Sequence, residues 1–340
     1  MRIIIIYNKD LNKVISKLGP QNSEIYREST IQKVEQVFLK RGFEVRTIDG
    51  NLDMFEYLRK MKLEQDRIPF VFNLAYGIQG ENRYTHIPSI LEMLGLPYLG
   101  SGPLGHTLAL DKITSKIIMQ AHGIPTPEFI EYPLGEEIHT KTEFPVIVKP
   151  AMGSDSEGLT VARNEYELKG AVEHIFDEFS QTAFAEKFIS GREFGLALIG
   201  NRTKLECLPL VEINLDNNPG GIYSTEIKSM AKDKKVPDDI ANEVLLSMQE
   251  KARKLFSLLR LRDYARIDIR LNDRGEFYFL EVNSMASLGP SGSLMAAAQT
   301  AGYTYDDTII KLLETAVEKY FDTNQKLKVR YESKYARDRN

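Results

Sequence analysis

Hydrophobic positions in the first third of the chain alternate between two periods. The continuous apolar run Arg2–Tyr7 suits a strand buried on both faces. Ile31, Val34, Val37 and Phe38 then recur at helical spacing, which predicts a helix over residues 23–41 ending at Gly42. Phe43–Ile48 and Phe70–Leu74 are the next strand candidates, separated by the helical pattern of Met54–Leu63. Strand alternating with helix predicts a parallel sheet with covered faces, with Asn73–Gly77 at a strand's carboxyl end, where such sheets place ligands. Turn residues over Gly123–Pro127 mark a boundary. Beyond it the strand-like runs come in neighbouring pairs, and Asp239–Leu259 and Thr304–Tyr320 read as amphipathic helices. The class predicted is α/β, becoming α+β in the C-terminal half.

The most informative stretch is Tyr264–Gly292. Two strand-like runs, Arg266–Leu271 and Glu276–Val282, flank Asn272-Asp273-Arg274-Gly275, whose composition is that of a hairpin loop. If those four residues form the loop, Leu271 pairs with Glu276. Alternation then puts Arg266, Asp268 and Arg270 on one face with Phe277, Phe279, Glu281 and Asn283. Asp268 and Glu281 would be diagonal neighbours, roughly 7 to 8 Å apart at the backbone. Oxygen donors without Cys or His suit Mg²⁺, which binds through one or two carboxylates plus substrate phosphates. An ordinary surface hairpin would show similar charges, but Ile267, Ile269 and Val282 mark this one as buried, where carboxylates must be paired or metal-bound. Removing both charges is expected to relieve their repulsion. The following segment, Ser284–Ser293, is rich in Gly and Ser and suits a developing anion.

Phe144–Pro150 reads as a strand that delivers Lys149 to the loop Ala151–Gly158. A short loop of glycine and serine lets backbone N–H groups approach phosphate oxygens, and the lysine adds a point charge. A plain hairpin turn reads equally well from this stretch alone. Phe184–Phe194 could supply an adenine slot through backbone groups and Phe188, or merely connect two β segments. Gly100–Gly105 matches G-x-G-x-x-G, but the fingerprint belongs in the first strand-to-helix turn of its unit, which argues against a nicotinamide oxidoreductase. Asp111 and Lys112 are expected within the helix after Gly105. Residues 217–237, including Lys228, read as a mobile loop.

Composition narrows the class. A net charge of -4 argues against nucleic-acid or membrane partners, and one cysteine, Cys207, permits no internal disulfide. No run approaches a membrane span, and a cytoplasmic location is expected.

Taken in order, GLPYLGSG (95–102), LDKITSKIIMQAHGIPTP (110–127), FPVIVKP (144–150), EKFISGREF (186–194), ARIDIRL (265–271) and FYFLEVNS (277–284) resemble the ATP-grasp enzymes, most closely the D-alanine:D-alanine ligase family. The resemblance implies an ATP-grasp fold with an N-terminal Rossmann-like parallel-sheet domain. The expected units are 1–112, a central 113–190, a C-terminal 191–323 and a charged tail over 324–340. It implies ATP between two antiparallel sheets, with Lys112, Lys149 and the loop residues Gly153, Ser154 and Ser156 on its phosphates. Glu186, Lys187, Phe188 and Ile189 would surround adenine, and Glu193 would hold ribose. Asp268, Glu281 and Asn283 would bind two Mg²⁺ ions, with Mn²⁺ able to substitute. Lys228 would reach the transferred phosphate, Arg266 would stabilise the intermediate, and Arg266 with Ser293 would receive an amino acid's carboxylate.

The implied reaction is ATP-dependent amide or peptide bond formation through an acyl phosphate, with amino-acid, dipeptide or other carboxylate substrates and a homodimeric assembly. A catalytically silent nucleotide-binding scaffold is the alternative from another class. The substrate half departs from the family. Only Glu24 or Glu28 could replace the glutamate of the N-terminal substrate loop, Ser229 follows the loop lysine where tyrosine is usual, and Ser284-Met285-Ala286-Ser287 stands where the family reads Thr or Ser, x, Pro, Gly. An acyl donor other than D-alanine is therefore expected, with a genuine D-alanine:D-alanine ligase as the alternative.

Overall fold

The computed structural model describes residues 1–9, 24–64, 68–153, 158–213 and 234–321. Strand β1 (Arg2–Tyr7) is followed by α1 (Glu28–Lys40), β2 (Glu44–Asp49), α2 (Asp53–Glu64) and β3 (Phe70–Asn73). The three strands form a parallel sheet in the order β2-β1-β3. Ile3, Ile4, Ile5 and Ile6 have no exposed surface. Ile3 and Ile5 pack with Val34 and Phe38 of α1, while Ile4 and Ile6 pack with Leu58 of α2 on the other face. Each buried isoleucine contributes about 1.5–3 kcal/mol, so a charge at Ile4 would dismantle the sheet. The first helix starts later than its apolar spacing predicts, because Tyr26 is drawn into the core and stacks on Tyr76 with ring centroids 5.5 Å apart.

The chain continues through α3 (His86–Leu94), α4 (Pro103–Leu110) and α5 (Lys112–Ala121). Proline at the first turn of α4 is favourable because its missing N–H has no helical acceptor there. Asp111 and Lys112 do not share that helix. Asp111 leaves the helical conformation and its side chain accepts from Thr114 N at 3.0 Å, so Lys112 opens a new helix.

A four-stranded antiparallel sheet follows, β4 (Phe129–Tyr132), β5 (Val146–Pro150), β6 (Thr160–Ala162) and, after α6 (Glu165–Phe179), β7 (Ala183–Lys187). Its order is β4-β7-β5-β6, and α6 covers one face through Leu168, Val172 and Ile175. The third sheet contains β8 (Arg192–Ile199), β9 (Glu206–Cys207), β10 (Val211–Ile213), β11 (Lys234–Lys235), β12 (Tyr264–Leu271) and β13 (Phe277–Asn283), in the order β11-β10-β8-β12-β13 with β9 beside β8. Helix α7 (Asn242–Leu258) buries Met248, Ala252 and Leu255 against it. The described residues end in α8 (Ser293–Thr300) and α9 (Tyr305–Phe321), whose Ile309, Leu312 and Ala316 return to the core of the first sheet.

The hairpin register differs from the expected one. Leu271 pairs with Phe277, Arg270 with Tyr278 and Ile269 with Phe279, and the register then shifts so that Asp268 faces Glu281 and Arg266 faces Asn283. Leu280 is the extra residue, a β-bulge that flips the face of everything beyond it. Phe279 consequently lies in the apolar core with Ile267, Ile269 and Val282 rather than beside Asp268. No helix among the described residues is long and apolar enough to cross a membrane.

Candidate active site

Three elements converge between the two antiparallel sheets. Strand β5 carries Lys149 at its penultimate position, α5 begins at Lys112, and β13 carries Glu281. Lys112 bridges the sheets: its Nζ donates to the Gly153 carbonyl and lies 3.5 Å from Glu281 Oε2. From the other side Arg270 of β12 lies over the Phe188 ring, 6.0 Å from its centroid.

The acidic face is compact. Asp268 is 4% exposed and receives Arg266 through Nε at 2.6 Å and Nη2 at 2.7 Å. Asn283 Nδ2 donates to Asp268 Oδ2 at 3.0 Å, and Arg266 Nη1 lies 3.3 Å from Ser293 Oγ. Gly195 of β8 sits opposite Asp268, where a β-carbon would come within 3.3 Å of Arg266 Cδ, so the absence of a side chain keeps space above this face. Among the described residues no group of three or more His, Cys, Asp or Glu converges on a common point. Asp268, Glu281 and Asn283 make two carboxylates and an amide, a hard donor set that fits a divalent cation completing its shell with water and phosphate. The match is in donor chemistry and in the direct pairing of Asp268 with Glu281.

Glu186 joins two lysines in a buried triad. Its Oε1 lies 2.5 Å from Lys149 Nζ and its Oε2 2.6 Å from Lys116 Nζ, with all three side chains 8% exposed or less. Burial opposes its ionisation, but the two ammonium groups overcome that and hold its pKa below the usual carboxylate value. Burial likewise works against the charge on Lys149, and the carboxylates of Glu186 and Glu281 outweigh it, raising its pKa. Lys112 and Lys116 are pulled down, burial being the larger influence on both. Lys116 also donates to Thr126 Oγ1 at 2.9 Å, and that hydroxyl donates to the Phe279 carbonyl at 2.9 Å, so the triad is tied to the acidic hairpin.

Glu193 is buried and receives Arg270 Nε at 3.0 Å, while Arg270 Nη1 donates to the Gly191 carbonyl at 3.1 Å. Burial raises the Glu193 pKa despite that arginine. Phe188 and Ile189 are half-buried, Phe188 N donating to Pro145 O at 3.1 Å. Lys187 is exposed and its Nζ lies 3.3 Å from Glu143. Ser154, Ser156, Lys228 and Ser229, and the tail over 324–340, lie outside the described residues.

A second cluster of polar and aromatic side chains adjoins the loop after β13. Glu24 accepts from Arg83 Nη2 at 3.1 Å and from the Tyr84 hydroxyl at 2.6 Å, whereas Glu28 is exposed on α1. Gly77 permits this, because a β-carbon there would collide with the Arg83 backbone. Tyr84 meets His106 edge-on, with centroids 6.2 Å apart, and His106 Nδ1 lies 2.8 Å from Ser284 Oγ, one residue beyond Asn283. Burial first, then Lys319, depress the His106 pKa to about 3, so the ring is neutral. Tyr26 contributes its hydroxyl oxygen as acceptor to Leu288 N at 3.0 Å.

Lys116, Thr126 and Arg270 fall within motifs that gave them no role, and Arg83, Tyr84 and His106 fall outside every motif. Lys116 had one usable signal, its position one helical turn after Lys112 on the same face. The others become visible only when strands and loops distant in sequence are brought together.

Comparison with known proteins gives a consistent result. Residues 118–314 match the family model described as D-ala D-ala ligase C-terminus. An uncharacterized protein of Sinorhizobium fredii, y4sG, is 36% identical over 94% of this chain and 98% of its own length. The D-alanine--D-alanine ligase of Pelotomaculum thermopropionicum is 31% identical over 90% of this chain and 97% of its own. Among solved structures, the D-alanine--D-alanine ligase of Bacillus anthracis complexed with ATP superposes with a TM-score of 0.74 at 25% identity, covering 95% of this chain and 100% of that one.

Proposed function

The chain belongs to the D-alanine:D-alanine ligase family of ATP-grasp ligases, and on that premise we propose that it forms an amide bond between a carboxylate and an amine, with an acyl donor other than D-alanine. The observation that carries the chemistry is the convergence of Lys112, Lys149 and the paired Asp268 and Glu281 on one space between the sheets. Lys112 and Lys149 would meet the phosphates of ATP, with Glu193, Phe188 and Ile189 beside the nucleoside. Asp268, Glu281 and Asn283 would hold Mg²⁺, which when bound neutralises phosphate charge and orients the γ-phosphoryl group.

The donor carboxylate oxygen attacks the γ-phosphorus, the bond to the bridging oxygen breaks, and ADP leaves. The acceptor's amine nitrogen then attacks the acyl carbon, phosphate departs and the amine releases a proton. Arg266, with Ser293 at its Nη1, would face the oxyanion that forms as the amine adds.

The departure from D-alanine rests on Glu24. Its carboxylate already carries a buried arginine and a tyrosine hydroxyl, so a substrate ammonium would find a neutralised acceptor beside a guanidinium. Unpaired polar groups in such a cluster cost about 1–3 kcal/mol each, which is ample for discrimination. The test is ADP and phosphate release with Mg-ATP and a panel of amino acids, dipeptides and carboxylates lacking an α-ammonium, with products identified by mass. Faster turnover with D-alanine alone than with every other donor would refute the altered specificity, and no donor-stimulated ADP release at all would refute ligase activity.

A further inference from the structure

Lys116 stands out among the buried charges because nothing assigned so far uses it. It has no exposed surface, it lies one turn beyond Lys112 on α5, and its ammonium is 2.6 Å from the Glu186 oxygen that Lys149 does not hold. The other contact of its ammonium, Thr126 Oγ1, is fixed by the Phe279 carbonyl. A lysine enclosed this completely cannot itself reach a ligand, yet burying it is strongly unfavourable unless the pairing is good.

Its significance lies in the charge balance of the triad. Glu186 with Lys149 alone is a neutral pair, and the lysine's charge would be consumed by the carboxylate. With Lys116 on the other oxygen the triad carries one surplus positive charge. Lys149 keeps more exposed surface than the other two and is close enough to Glu281 and Glu193 of the third sheet to feel their charges, so the surplus is expressed there. We propose that Lys116 is a positioning residue that takes up the charge of Glu186 from behind, leaving Lys149 cationic toward the phosphates of ATP. This inference rests on the placement of ATP phosphates at Lys149. Charges a few ångströms apart at a partly buried site interact strongly, so the effect on phosphate binding is measurable.

Isothermal titration calorimetry with ATP and Mg²⁺, and separately with adenosine, distinguishes this from a purely structural role through the ratio of the two affinities. Lys116→Met neutralises the triad and is expected to weaken ATP by about tenfold or more relative to adenosine. Lys116→Met with Glu186→Gln restores one net positive charge, and the ratio should return toward the wild-type value. Glu186→Gln alone leaves two unneutralised lysines and should raise the ratio above wild type, a comparison that stands even if Lys116→Met fails to fold. Equal ratios in wild type and Glu186→Gln, or a double variant no better than Lys116→Met, overturn the proposal. Lys149→Met serves as the control: unchanged ATP affinity there removes the phosphate assignment itself, whereas a loss there with no effect of Lys116→Met removes only the role of Lys116.

Discussion

Asp268 stands directly opposite Glu281 across β12 and β13, and it does so only because Leu280 is extruded as a bulge between them. Neither carboxylate faces the other unneutralised, since Arg266 grips both oxygens of Asp268 and Lys112 lies 3.5 Å from Glu281. Neutralising both acids as Asp268→Asn with Glu281→Gln should abolish Mg²⁺-dependent turnover. The expected relief of repulsion does not follow from this arrangement. Stranding the Arg266 guanidinium should instead lower apo stability by on the order of 1–3 kcal/mol, measured by urea unfolding. Persistent turnover in the double variant would show that the ion binds elsewhere.

Lys149→Met and Arg266→Met each remove a cation proposed to act on the phosphoryl or acyl centre. Turnover should fall by about 10² to 10³, by analogy with loss of a single oxyanion donor. Glu186 retains Lys116 when Lys149 is gone, so the Lys149 variant should fold, and a melting curve alongside steady-state kinetics checks both halves. A folded variant with full activity would make the assigned role wrong.

The Glu186 triad predicts a pH signature in stability. Its carboxyl pKa is lowered by Lys116 and Lys149 against the cost of burial. The folded state therefore binds fewer protons than the unfolded one, and the contribution is complete above the unfolded value of 4.5 and lost as pH falls through the depressed folded value. Wild type should be more stable than Glu186→Gln at pH 7, with the difference in Tm shrinking as pH is taken below about 4.5 toward 3. A difference that stays constant over that range would show that Glu186 is not ionised in the triad.

Arg83 should set donor preference. Arg83→Gln removes the cation beside Glu24 and leaves the carboxylate available to a substrate ammonium. The ratio of kcat/KM for α-amino acids over carboxylates without an ammonium should rise by about tenfold, the equivalent of one lost charged contact. An unchanged ratio would mean that the cluster around Glu24 does not receive the donor.

Much of this molecule is determined by local pattern. The run of isoleucines in β1 can only be a strand buried on both faces, and the spacing of Ile31, Val34 and Phe38 can only turn one apolar stripe inward, so the parallel sheet follows from periodicity. Lys149, Asp268, Glu281 and Asn283 were legible as candidates because a charged or polar group at the end or on one face of an apolar strand is an exception to its surroundings. Strand register was not legible, because a bulge shifts the face of a whole segment while leaving the alternation on either side intact. Nor could sequence show that Glu186 would meet Lys116 as well as Lys149, or that Arg83 and Tyr84 would close on Glu24. Those partners lie up to 70 positions apart, and ion pairs form only where separately folded elements meet. Local patterning decides which residues are buried and in what element, whereas the charge each buried group feels depends on neighbours that only the tertiary packing supplies.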